Sequence, residues 1–170
     1  MSKLVRNLRR VVKVSPVMTA DDNADNDVAF DWTAVPISTE NGLATMLQSV
    51  AILDADDSAA ALELVFCIGS DADGTAPSAA QGLIGGAGAG SAVVDITGAE
   101  AQAVQICGNI QMPLSEGDLL TAYAITVANI GLILQPAVNS KTIYMGGIWR
   151  SDPAATGAVD TLDIYLGFED

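Results

Sequence analysis

Two runs decide the fold. The first is Leu43-Ala44-Thr45-Met46-Leu47-Gln48-Ser49-Val50-Ala51-Ile52-Leu53, and the second is Ala61-Leu62-Glu63-Leu64-Val65-Phe66-Cys67-Ile68. Between them lies an acidic, turn-like cluster that begins Asp54-Ala55-Asp56-Asp57-Ser58. In the second run Leu62, Leu64, Phe66 and Ile68 fall on one face at period two, the mark of a strand. Leu, Ala, Met and Gln in the first run also suit a helix. The short turn between two apolar runs favours a hairpin, so both are read as strands.

The rest of the chain follows the same pattern. Val28 to Val35 is bounded by an acidic loop and Pro36. Ala92 to Ile96 is short and closes at Gly98. Ala103 to Met112 alternates around Gly108, and Leu119 to Ala128 is β-branched and aromatic. Thr142 to Trp149 carries a central Gly146-Gly147, which suits a bulge or a close backbone approach. Thr161 to Phe168 places Leu162, Ile164 and Leu166 on one face and Asp163 and Tyr165 on the other. With no long amphipathic helix and no repeat, the expectation is an all-β jelly roll or β-sandwich of about eight or nine strands.

Gly69 to Gly90 stands apart, because small residues and glycine dominate it. Such a segment gains little from burial and loses much backbone entropy on ordering. It reads as a surface loop, with room for a short helix or strand near Ala79 to Ile84. Gly85-Gly86-Ala87-Gly88-Ala89-Gly90 lacks the Lys-Ser/Thr of a phosphate-cradling loop and no long helix follows it.

Charge is segregated. The chain has 170 residues with 21 acids, seven bases and no histidine, for a net charge of −14. Five of the bases, Lys3, Arg6, Arg9, Arg10 and Lys13, fall in residues 1–13 without an acid, giving +5. Residues 14–170 hold the other two, Lys141 and Arg150, against all 21 acids, giving −19. Residues 1–27 are therefore read as a basic N-terminal arm with an acidic hinge, and 28–170 as the sandwich domain. A basic arm beside an acidic body suits bridging to acidic neighbours, including copies of itself. A solvated tail is the plainer reading. Arg10-Val11-Val12-Lys13-Val14 favours β structure, so the end of the arm can pair as a strand.

The same composition excludes much chemistry. Without histidine there is no Ser–His–Asp or Cys–His system and no usual zinc ligand set. The two cysteines, Cys67 and Cys107, read as small core residues, with a bridge between neighbouring strands as the alternative. Asp54/Asp56 and Asp71/Asp73 pair carboxylates, but a glycosidase also needs aromatic platforms, and aromatics are only 5% of the chain. The Thr19-to-Asp27 run and the Asp71-Ala72-Asp73-Gly74 turn offer oxygens to calcium. The former lacks the Gly and terminal Glu of an EF-hand loop. Trp32 and Trp149 read as core, or as interface anchors if exposed. The acidic body argues against nucleic acid as a partner, and no apolar stretch is long enough for a membrane span. No apolar signal core follows the first basic residues, which argues against secretion. No enzyme activity, metal or cofactor is expected.

Leu47-Gln48-Ser49-Val50-Ala51-Ile52-Leu53-Asp54 through Ala61-Leu62-Glu63-Leu64-Val65-Phe66 resembles a strand pattern of tailed-bacteriophage capsid decoration (cement) proteins. The end of the chain, Thr142 to Arg150 and then Leu162-Asp163-Ile164-Tyr165-Leu166-Gly167, is similar to the closing strands of that group. The resemblance covers roughly residues 28–168 and leaves the arm outside it. It implies a trimeric jelly-roll virion protein on the outer capsid surface, where it clamps neighbouring major capsid protein subunits. Lys3, Arg6, Arg9, Arg10 and Lys13 would then touch acidic capsid or sister-subunit surface. Other readings stay open: a head fibre base, a tail or baseplate subunit, a receptor-binding module, or a calcium- or carbohydrate-binding sandwich.

Overall fold

The computed structural model describes residues 9–18, 27–54, 61–77, 104–112, 123–151 and 162–169. The strand expected at 92–96, the element near 79–84, and the bases Lys3 and Arg6 lie outside them. Eight strands are present among the described residues: β1 (Arg9–Val14), β2 (Val28–Pro36), β3 (Thr45–Asp54), β4 (Leu62–Cys67), β5 (Ile106–Met112), β6 (Tyr123–Leu134), β7 (Thr142–Trp149) and β8 (Leu162–Glu169).

They form two four-stranded sheets, ordered β1-β8-β3-β6 and β2-β7-β4-β5. Every pairing is antiparallel. Apart from β4 to β5, each consecutive pair of strands crosses from one sheet to the other. This is the strand order of a jelly roll, the fold class expected from the sequence. The arm segment Arg9–Val14 is its first edge strand, paired with β8 from Arg9↔Glu169 to Val14↔Ile164.

The expected hairpin between β3 and β4 does not form. β3 pairs with β6 and β8, whereas β4 pairs with β5 and β7 in the other sheet. β4 is buried along its whole length. Leu62, Leu64 and Phe66 join the main core, while Val65 packs on the other face with Val28, Ile148 and partly buried Trp32. A central position gives β4 a neighbour on each side, and on the outer face the side chains of β2 and β7 cover Val65.

The helix alternative for 43–53 fails for a related reason. Leu47, Val50 and Ile52 all point into the core, although Leu47 and Val50 are three apart. A bulge at Gln48 absorbs the extra residue: both neighbouring strands shift register between Leu47 and Ser49. β8 needs no such correction, and its Leu162, Ile164, Leu166 and Phe168 alternate strictly into the core.

β6 runs six residues beyond the Ala128 end read from the sequence, to Leu134. Asn129 (φ 60°) and Gly131 (φ 68°) look like turn residues, but here they shape a bulge, and the strand resumes beyond them. Of the two forms expected at Gly146-Gly147, the close approach is the one met, and the extra residues lie in β2 opposite. Phe30 lies over Gly147, where a Cβ would collide with the ring, and β2 changes register on either side of Phe30. Trp149 is core, and both cysteines are free rather than bridged.

Candidate functional site: the basic edge strand and the end of the sandwich it enters

Alternation on β1 divides its side chains. Arg10, Val12 and Val14 turn toward the core row of Phe168, Leu166 and Ile164, and Arg9, Val11 and Lys13 turn outward. Outward, Lys13 Nζ lies 2.8 Å from Asp163 Oδ2. Ser15 Oγ donates to Asp163 Oδ1 at 2.6 Å. Hydrogen bonds from Lys13 and then Ser15 hold the Asp163 carboxyl below the usual carboxylate range. The hydrogen bond to Asp163 pushes Lys13 up in turn. Lys13 Nζ also sits 5.8 Å from the centre of the Tyr165 ring.

At the other end of β1, Arg9 Nε faces Glu169 Oε1 at 3.8 Å, and its side chain is 84% exposed. Gln48 Nε2 donates to the same carboxylate, Oε2, at 3.2 Å. Arg10 reaches the second sheet: its guanidinium stacks 5.4 Å from the Phe168 ring centre and Nη1 donates to the Pro36 carbonyl at 3.3 Å. Of the five bases singled out in the sequence, these three thus meet partners in their own chain. Nothing in the sequence around β1 points to those partners. The alternation of β8 already set Asp163 on its outer face, but nothing local says that β8 lies beside β1.

Next to Arg9 the bulges of β3 and β6 open a groove of about 590 Å³ on the outer face of the first sheet, lined among others by Val11, Gln48, Ser49, Asn129 and Gly167. At Gly167 the lining is close-packed: a Cβ there would strike Ser49 Oγ.

Arg9, Glu169, Met46 and Ile133 share one row across the sheet, one step from where β3 and β6 meet their loops. Three connections gather at this end. Gly42 N donates to Ser140 O, and Gln135 Nε2 to Gly42 O. Tyr144 Oη donates to Gly74 O, and Asn139 Nδ2 to Asp73 Oδ1.

Of the two carboxylate pairs, only Asp71/Asp73 lies wholly among the described residues. Asp71 Oδ1 accepts from the amides of Asp73 and Thr75, both at 3.0 Å, so it shapes a turn. Thr75, through its side chain first and then its amide, holds Asp71 low. Asp54 is buried in β3, and Asp56 lies outside the described residues. Burial pushes the Cys67 thiol up to about 12 and that of Cys107 to about 11. Among the described residues no three His, Cys, Asp or Glu gather as metal ligands, and no helix is long and apolar enough to cross a membrane.

Strand order and core make this chain an all-β jelly-roll protein. No family model and no curated protein matches its sequence. Among solved structures it is similar to one of tomato aspermy virus, at 9% identity over 100% of this chain and 82% of that one, with a TM-score of 0.35. It is similar to one of sacbrood virus of honeybee in expansion state I, at 10% identity over 99% and 86%, with a TM-score of 0.37. A third is the tobacco streak virus coat protein, at 12% identity over 99% and 90%, with a TM-score of 0.29.

Proposed function

We propose that this chain is a structural virion protein that binds the outside of a tailed-phage capsid and cements neighbouring major capsid subunits as a trimer. The observation that carries the reading is the placement of charge in the fold. The bases cluster on the first edge strand and the segment that leads into it, while the body is acidic. Cement activity needs no reaction. Each contact stabilises the assembled shell by mass action, and symmetry-related copies add avidity to weak individual interfaces. The likeness of residues 28–168 to the strand pattern of decoration proteins supports the same reading.

In this reading Lys3 and Arg6, with exposed Arg9, supply the charge that reaches a neighbour. Arg10 and Lys13 hold the strand from which that segment extends. The test is co-sedimentation with capsid shells that lack the protein, using the full chain and a Lys3→Glu/Arg6→Glu variant. The full chain should bind, and more weakly as salt rises through the range where the screening length falls below about 10 Å. The variant should bind at least tenfold more weakly. Equal binding by the two chains at all salt concentrations would refute the arm's role, and no binding by either would refute the cement reading. Sedimentation of the free protein should show a trimer.

A further inference from the structure

We infer that the loop end of the sandwich where β1 begins is a receiving surface for residues 1–8 of a second copy of this chain. The inference deepens the associative reading of the arm by naming its partner, and needs no capsid.

Two properties of that end suit this occupant. Leu43, Ile133 and Val138 stand exposed there, Val138 at 75% and Ile133 at 65%, and Gly42 packs directly on the Val138 backbone. Exposed apolar side chains gathered in one place and rimmed by polar groups mark an association surface. The rim is more acidic than basic: Glu40, Asp71 and Asp73 are exposed around them, against Lys141, while exposed Arg9 in the row of Ile133 already faces Glu169. Residues 1–8 carry the complementary chemistry, with Lys3 and Arg6 as charges, Leu4, Val5 and Leu8 as apolar groups, and no acid.

Direction favours a neighbour over the same copy. β1 enters the sheet at Arg9, and continuing its line backward leads off the sheet at this end. A return onto the same copy needs a reversal, for which residues 1–8 offer Ser2 and Asn7 but neither glycine nor proline. Extended, eight residues span about 27 Å, enough to cross to an adjacent copy. Donor and receiver lie at the same end, so side-by-side copies can exchange arms in a closed ring.

The test couples lysines to carboxylates without a spacer. Equal amounts of unlabelled and ¹⁵N-labelled full-length protein are mixed and treated with a carbodiimide, and linked peptides are read by mass spectrometry. Mixed-isotope peptides that join Lys3 to Glu40, Asp71 or Asp73 are expected. Their yield should fall at least fivefold in a Val138→Asp variant whose unfolding midpoint is unchanged. Links within one copy only, links from Lys3 to other carboxylates only, or none at all would overturn the inference. Because no shell is present, each of those results leaves the co-sedimentation test of the cement reading intact, and the reverse also holds.

Discussion

Lys13 and Asp163 join the first strand to the last, with Nζ 2.8 Å from Oδ2, across 150 residues of chain. Ser15 completes the carboxylate's partners from the residue that follows β1. Arg9 and Glu169 repeat the pattern at the other end of the strand.

The Lys13–Asp163 pair sets a pH window. Asp163 titrates below its ordinary value, so its contribution is present above about pH 4 and is lost as pH falls through its folded pKa. Lys13 titrates above its ordinary value, so its contribution is full below about pH 10 and is lost as pH rises through its folded pKa. Asp163→Asn should lower the melting temperature by a small, constant amount across that window. The difference from wild type should vanish in strong acid and shrink in high salt, since the pair is exposed. Thermal unfolding at several pH values checks this, and a difference that persists at about pH 2 would show that the pair is not its source.

Gly147 gives a sharper number. Its α-carbon lies under Phe30, and a Cβ at 147 would overlap the ring. Gly147→Ala should cost about 1–3 kcal/mol through overpacking. Phe30→Leu in the same chain should return part of that loss, because the two side chains contend for one space. Denaturant unfolding of the two single variants and the double variant measures the coupling. Strict additivity would mean the ring has another place to go.

How much of this could be read from sequence differs between elements. β8 was legible because every second residue is apolar and nothing interrupts the phase. β3 was legible as a strand but not in its partners. A connection of residues 55–61 can close a hairpin or cross the roughly 10 Å between two sheets, and side-chain pattern does not separate the two. β6 was cut short because Asn129 and Gly131 have the same identities in a bulge as in a turn. On β1, the run of bases and its β propensity were visible. The acids that pair with it were not, because pairing across 150 residues is decided by topology rather than by any local signal.

Glu63 and Arg150 test the outer face of the second sheet. Arg150 Nε donates to Glu63 Oε2 at 2.7 Å, and Asn109 Nδ2 approaches Oε1. Glu63 is buried, with 7% of its surface exposed. Arg150→Met leaves that carboxylate without its cation; because the arginine itself stays one-third exposed, the cost should be about 1–3 kcal/mol, that of a buried acceptor losing its partner. Replacing both residues with apolar ones, Glu63→Leu with Arg150→Met, should recover most of the loss. If the double variant is as unstable as Arg150→Met, the cost comes from lost arginine packing rather than from a stranded charge.

The thiols offer a check on the core that needs no mutation. Cys67 is buried on central strand β4, and Cys107 is half-buried on edge strand β5 where the register between them slips. Burial raises both thiols, to about 12 and about 11, so almost no thiolate exists near pH 8. The thiolate is the reacting form, and the native protein should therefore stay silent toward a disulfide exchange reagent at that pH. In denaturant both thiols should react promptly, at two per chain. Cys107, the more exposed and the less shifted, should be first to respond as native samples are brought toward pH 10. A single fast-reacting thiol at pH 8 would place one cysteine at the surface. Fewer than two in denaturant would mean that the pair is bridged, and that β4 and β5 are held together by more than their hydrogen bonds.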